Sequence, residues 1–297
     1  MTDTPIERVA LRVRLGDDDI WRADDESDVS YPASGHSSCL AVEESSFWFN
    51  HRNDCIRELV QAFPPTPGKP MLDVGGGNGY VSLGLARSGL DVILIEPGES
   101  GARNAKRRGL AHVICGTTET ARIRPGSIGA IGLFDVIEHI ADDTAFLVEM
   151  HSLLTTGDSV YATVPAYQRL WSADDERAGH HRRYSCAEIS SLFDAAGFEI
   201  DYAGYFFRPL PAAVLLFRTI PYRIRRALGR SGSNERATDM PDADETARAG
   251  AAARSHGANA RSLSTAVRTL LRPELTNIAK RRRMRFGGSI LVAAHRR

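Results

Sequence analysis

A chain of 297 residues with 42% apolar side chains can bury a sizeable core, and its length favours one elaborated domain or two. Basic and acidic residues number 37 each, so bulk charge gives no sign of a nucleic-acid partner. Four cysteines (Cys39, Cys55, Cys115, Cys186) form no Cys-x-x-Cys pair, which argues against a cysteine-rich zinc site and suits a reduced, cytoplasmic chain.

Residues 1–42 are expected to be a lead-in. Weak alternation over Val9–Val13 predicts a short strand, and acidic, turn-rich Gly16–Ser30 predicts loose packing. The N-terminus has no apolar leader, and no apolar run approaches the roughly 18–20 residues of a membrane span. From Glu43 to about Phe63 the pattern is helical and ends at Pro64-Pro65. Strands are then predicted at 70–75, 91–96, 111–115, 128–133, 158–164, 198–205 and 287–295, and helices at 79–88, 100–108, 141–155 and 187–196. Gly89, Gly109 and Gly197 mark helix ends. This is a doubly wound α/β fold: a seven-stranded, mostly parallel sheet in a 43–205 core with an N-terminal helical cap, completed by a last strand in 287–297. Between them lies an insertion, 206–286, whose Ala/Ser/Arg-rich part 231–265 has too few large apolar side chains to offset chain entropy and is expected to be disordered.

The stretch Leu72-Asp73-Val74-Gly75-Gly76-Gly77-Asn78-Gly79-Tyr80 lies between a predicted strand and helix, and Glu96 closes the next strand. Strand, glycine turn, helix, strand and acid make a nucleoside-binding βαβ unit, with the carboxylate placed to accept from ribose hydroxyls. A dinucleotide fingerprint requires a third small residue where Tyr80 stands. The spacing Gly75-x-Gly77-x-Gly79 after Leu-Asp-Val instead resembles motif I of class I S-adenosylmethionine-dependent methyltransferases. That resemblance implies S-adenosylmethionine as cofactor, held by Asp73, Gly75, Gly77, Gly79 and Glu96. The family usually places Asp after the third strand to accept from the adenine amino group; Thr117 stands there, with Glu119 nearby as a substitute.

Further motifs extend the resemblance over about 43–205 and the final strand, toward the bacterial branch similar to the ubiquinone and menaquinone biosynthesis enzymes. Asp135-Val136-Ile137-Glu138-His139 follows the fourth strand of the core; in a helix, Asp135, Glu138 and His139 would share a face. By itself such a run is also an ordinary solvated helix start. The ubiquinone-pathway O-methyltransferases carry Glu-x-x-Glu-His here and are associated with a divalent metal. Asp135, Glu138 and His139 match, but Asp shortens the first reach by one methylene, so no metal is required by the match. His139 is then a general-base candidate or a histidine that only bonds the chain. The loop Trp171–Tyr184 resembles the Ser-x-x-Asp-x-x-x-Gly-His-x-Arg-Arg-Tyr segment of the same branch. It implies an acceptor site with His180 as a second base and Trp171, Arg182, Arg183 and Tyr184 as substrate contacts. Phe47-Trp48-Phe49-Asn50-His51-Arg52-Asn53 resembles the branch's entry helix and adds Trp48 and Arg52 to the acceptor wall.

The expected function is therefore methyl transfer to a small-molecule or lipid-linked acceptor, at oxygen, with His139 or His180 as base. Alternatives are a methyltransferase-like scaffold without catalysis, or a nicotinamide-dependent oxidoreductase, against which Tyr80 speaks. Phe206–Arg230 combines Leu210, Val214, Leu215, Leu216, Phe217, Ile220 and Ile224 with six arginines and no acid. Pro209, Pro211 and Pro221 limit its helix to about 211–220, with a restart after Pro221. The segment either lies peripherally in a lipid interface or packs over the site with its arginines in water.

Overall fold

The near-continuous apolar runs of the sequence become strands because both faces of a parallel sheet must be covered. In the computed structural model, which describes residues 5–24, 43–44, 46–208, 210–227 and 269–297, β3 (Met71–Val74), β4 (Val92–Glu96) and β6 (Ala130–Phe134) are buried along their whole length. With β5 (His112–Cys115) and β7 (Ser159–Pro165) they form a parallel array in the order β5-β4-β3-β6-β7. The last strand, β9 (Ser289–Arg296), inserts antiparallel between β7 and β8 (Phe198–Phe206). All seven expected strands are present.

The sheet is longer than the sequence pattern indicates. A hairpin of β1 (Val13–Leu15) and β2 (Trp21–Ala23) extends it to nine strands, with β2 parallel to β5 through Trp21↔Ile114. The strand expected over Val9–Val13 is in fact a short helix, α1 (Pro5–Val9), followed by β1. Ile6 and Val9 are one helical turn apart, and with Ala10 they are buried in the main core, where alternation cannot place them. The remainder of the lead-in and the 231–265 stretch expected to be disordered lie outside the described residues.

Helices α3 (Tyr80–Arg87), α4 (Glu99–Arg107), α5 (Asp143–Leu153) and α7 (Cys186–Ala195) cover the sheet within two residues of their expected bounds. The entry helix α2 (Phe47–Ala62) is capped by Ser46, whose hydroxyl accepts from Trp48 N. It docks on the start of α3: Asn53 Nδ2 donates to the Tyr80 carbonyl at 3.0 Å, and Tyr80 hydroxyl donates to Asn50 Oδ1 at 2.6 Å. Gly84 allows this approach, since a Cβ there would meet Asn53 at 2.5 Å. The helix at 269–279 closes the other side of α2, where the Glu274 carboxylate binds His51 Nε2 at 2.9 Å. The carboxyl ends of β3, β4, β6 and β7 thus open toward one rim, roofed by α2 and by the loop after β7.

Candidate active site

The glycine turn after β3 serves two different neighbours. Gly79, at φ 74°, has no room for a side chain: a Cβ would meet Leu110 at 2.6 Å and Ala105 at 2.8 Å. It therefore does the close helix packing that Tyr80 cannot do. Gly77, at φ 54°, faces open space, with nothing within 4 Å of where a Cβ would stand. Its backbone can approach a ligand directly.

Two buried carboxylates flank that opening. Asp73 Oδ2 accepts from the Ser82 hydroxyl, while Asp73 Oδ1 is buried with no hydrogen-bond partner. Burial lifts its pKa to about 6, against the lowering effect of Ser82 and Arg52. Glu96, 4% exposed, accepts from Gly77 N at 2.9 Å and Gly98 N at 2.7 Å. Burial lifts it to about 7, and those two N–H groups restrain the rise. An orphaned carboxylate oxygen and an open glycine backbone are the features an S-adenosyl ligand requires, since it brings an amino group and ribose hydroxyls as donors. Thr117 is further from that pattern. Its hydroxyl accepts from Thr120 N at 3.1 Å and contacts Thr120 Oγ1 at 3.2 Å, so it first serves its own turn. Glu119 is exposed.

At the end of β6 the chain departs from the expected helix. Asp135 is left-handed, at φ 58°, a region that Asp tolerates better than most residues. A single 3₁₀ turn, Ile137–His139, follows. Asp135 consequently points away from the expected metal face: Thr163 Oγ1 donates to Oδ1 at 2.7 Å, and Arg52 Nη2 lies 2.7 Å from Oδ2. The trio that comes together is instead Glu138, His139 and His180, whose ligating atoms all lie within 4.8 Å of one another. Glu138 is 1% exposed and its Oε2 has no hydrogen-bond partner. Burial, reinforced by Asp135, pushes its pKa well above the carboxylate range. Burial and the neighbouring His180 press His139 down to about 4, so its imidazole is neutral at physiological pH. The two imidazoles meet edge to face with centroids 4.7 Å apart.

The loop after β7 is knotted around Asp175. A capping box starts α6 (Ala173–Arg177): Ser172 N donates to Asp175 Oδ2 at 2.8 Å. Arg183 donates to both Asp175 oxygens, Nε to Oδ1 at 2.6 Å and Nη2 to Oδ2 at 3.0 Å. His180 Nδ1 reaches Oδ1 at 2.9 Å. Burial alone would raise the Asp175 carboxyl, but the bonds from His180 and Arg183 prevail and hold it at about 2. An ionised Asp175 can only accept, so His180 Nδ1 is the donor in that bond.

The expected acceptor contacts Arg182, Arg183 and Tyr184 all take part in internal bonds here. The Arg183 fork binds Asp175. Arg182 Nη1 donates to Asp143 Oδ2 at 2.7 Å, and the buried Tyr184 hydroxyl donates to the same oxygen at 2.8 Å. These three residues shape the loop. Trp48 stacks on Phe207 with centroids 5.5 Å apart, and the Arg52 guanidinium lies over its ring. Trp171 lines a separate opening with Gln168, Tyr222, Arg223 and Arg226. In the sequence Asp175 matches only as part of the loop motif, without a role, and nothing there singles out Thr163. For Asp175 the signal was present, since Ser172-x-x-Asp175 has capping-box spacing.

Known proteins similar to this chain include methyltransferases. A family model described as a methyltransferase domain matches residues 47–203. A probable S-adenosylmethionine-dependent methyltransferase of Mycolicibacterium smegmatis is 23% identical over 173 residues, 57% of this chain and 66% of that protein. A ubiquinone biosynthesis O-methyltransferase of Xanthomonas campestris is 28% identical over 110 residues, 35% of this chain and 46% of its own length. The chain thus spans between about half and two thirds of these relatives. Phosphoethanolamine N-methyltransferase 2 of Haemonchus contortus, solved with S-adenosyl-L-methionine, shares the fold: the TM-score is 0.53 at 18% identity, covering 90% of this chain and 58% of that one.

Proposed function

The chain belongs to the methyltransferase-domain family, and from that premise we propose that it transfers the methyl group of S-adenosylmethionine to a hydroxyl of a small-molecule or lipid-linked acceptor, with His180 as the base. The observation that carries the choice of base is the Asp175–His180 bond, which fixes one imidazole nitrogen and leaves the other able to take a proton. Burial and the neighbouring His180 press His139 toward neutrality, and its ring meets His180 edge to face, so it serves as the wall against which His180 is set.

A sulfonium donor is already activated, so the protein must align donor and acceptor and exclude water. Asp73 and Glu96 orient the donor, with Gly77 giving backbone access. As the acceptor oxygen attacks the methyl carbon, the carbon–sulfur bond breaks, its electron pair stays on sulfur, and the hydroxyl proton passes to His180 Nε2. The donor set Glu138, His139 and His180 also fits a divalent cation, each histidine offering a nitrogen and Glu138 an oxygen without a partner. A bound cation there would supply Lewis acidity toward the acceptor hydroxyl.

The test separates the donor from the base. Calorimetry with S-adenosylmethionine, its demethylated product and NAD as control is expected to show binding of the two adenosyl ligands alone. His180→Gln is expected to lower turnover on a hydroxylated acceptor by about 10²–10⁴-fold with donor affinity retained. Equal loss of turnover and donor affinity would mean that His180 acts only in packing, and the base assignment would fall.

A further inference from the structure

The segment 206–230 holds six arginines and no acidic residue. The proline that should stop its helix does not. Helix α8 (Leu210–Val214) passes through one π turn (Leu215–Thr219) directly into α9 (Ile220–Ala227). The wide turn absorbs the N–H that Pro221 lacks, so the helix expected to end near 220 runs on to 227.

One face of this helix is pinned to the loop that carries the site. Thr219 Oγ1 donates to the Leu170 carbonyl at 3.0 Å, Arg218 pairs with Asp174 at 3.1 Å, and Arg223 Nη2 donates to the Arg169 carbonyl at 3.0 Å. Tyr222 hydroxyl bonds Glu176. The opposite face presents Leu216, Ile220 and Ile224, four residues apart and 59%, 39% and 54% exposed, with Leu215 beside them. Among the described residues, nine large apolar side chains are exposed and four lie on this one helix, so the exposure is a patch rather than scatter.

We propose that this helix docks on an anionic lipid bilayer, its Leu216–Ile220–Ile224 stripe in the acyl boundary and Arg223 and Arg226 at the headgroups. Charge complementarity selects that occupant: the segment's own charged side chains are all arginines, the Asp174 and Glu176 carboxylates of the neighbouring loop are already engaged by Arg218 and Tyr222, and arginines beside an apolar stripe match a negative surface. No helix among the described residues is long and apolar enough to cross a membrane. Beside the helix, between it and the loop, lies a cavity of about 510 Å³ lined by Gln168, Trp171, Tyr222, Arg223 and Arg226, large enough for an amphiphile's headgroup. The docking itself does not depend on the acceptor's identity or on methyl transfer.

The test is co-flotation of the full chain with phosphatidylcholine vesicles, with and without phosphatidylglycerol. The wild-type chain is expected to float with the anionic vesicles only and to be released by salt. The triple variant Leu216→Asp/Ile220→Asp/Ile224→Asp is expected to lower partitioning at least tenfold, and Arg223→Glu/Arg226→Glu to do the same. S-adenosylmethionine binding, measured on the same samples, should be unchanged and thereby shows that each variant is folded. Absence of wild-type flotation, or a folded triple variant that floats like wild type, overturns the proposal. So does a sedimentation shift from dimer to monomer in the triple variant, which would make a second copy of the chain the occupant.

Discussion

At the proposed donor end of the cleft the site is mostly backbone: the left-handed Gly75 and Gly77, the packing glycine Gly79, and N–H groups that hold Glu96. The proposed acceptor end is instead built from a loop of side chains, tied by Asp175 to Ser172, His180 and Arg183, and by Asp143 to Arg182 and Tyr184. Strand ends fix the donor end, so it tolerates few changes of shape. The acceptor end rests on a loop whose geometry is only as rigid as its hydrogen bonds. Substitutions should therefore separate the two: donor-end changes act on ligand affinity, acceptor-end changes on loop order and turnover.

The largest effect is expected at the centre of the knot. Asp175→Ala leaves the Arg183 guanidinium and the cap of α6 without their partner in a buried site, a loss of about 3–5 kcal/mol. Thermal unfolding should show a large fall in Tm, while donor affinity at temperatures where the variant is folded stays within a few fold. If donor affinity collapses as well, the two ends are one unit and the contrast is wrong. Next comes Asp73→Ala, which removes the orphaned Oδ1 and the acceptor of Ser82. A charged hydrogen bond is worth about 1.5–3 kcal/mol, so calorimetry should show affinity for S-adenosylmethionine falling about 10- to 100-fold. Unchanged affinity would remove Asp73 from the donor site.

The glycines give a finer test within the donor end. Gly79→Ala places a methyl against Ala105 and Leu110 at positive φ, and is expected to cost about 2–4 kcal/mol of stability from strain and overpacking together. Gly77→Ala meets open space, so its stability cost is only the roughly 1–2 kcal/mol of the left-handed backbone. It should nevertheless weaken the donor, because the added methyl stands where the ligand approaches. Chemical unfolding and calorimetry on both variants separate the packing glycine from the binding one. If Gly77→Ala binds the donor normally, the open space does not face the ligand.

The same contrast explains what the chain discloses before it is folded. The donor end is legible because its parts are contiguous: Asp73 to Gly79 is one turn, and Glu96 closes the next strand. Each requirement, a positive φ or a buried acid at a strand end, selects a residue type. The acceptor end is assembled from side chains far apart in sequence, and only a fold can say that Arg183 faces Asp175 rather than a ligand. Asp135 shows the limit at a single residue. Its i, i+3, i+4 spacing to Glu138 and His139 has meaning only in a helix, and a left-handed φ of 58° at Asp135 cancels it, bringing His180 into the trio instead. The lead-in misled for a related reason: five residues of helix are too few for period to distinguish them from a strand.

The smallest expected effect concerns pH and bears on the donor end alone. Glu96 and Asp73 hold their protons more tightly folded than unfolded, at about 7 against 4.5 and about 6 against 3.8. Protonation therefore favours the ligand-free fold, and these two groups withdraw stability as pH rises from about 4 to about 7. Ligand binding is expected to run the other way if, as proposed, the ionised carboxylates accept from the ribose hydroxyls and the amino group. Affinity for S-adenosylmethionine is expected to rise roughly tenfold between about pH 6 and about pH 8, with the transition near the Glu96 value. The demethylated product carries the same ribose and amino group but no sulfonium charge, so calorimetry of both ligands over that range decides the cause. Parallel curves assign the effect to Glu96 and Asp73 as acceptors. A rise confined to the sulfonium ligand would assign it to charge attraction alone, and Glu96 would lose its place at the ribose.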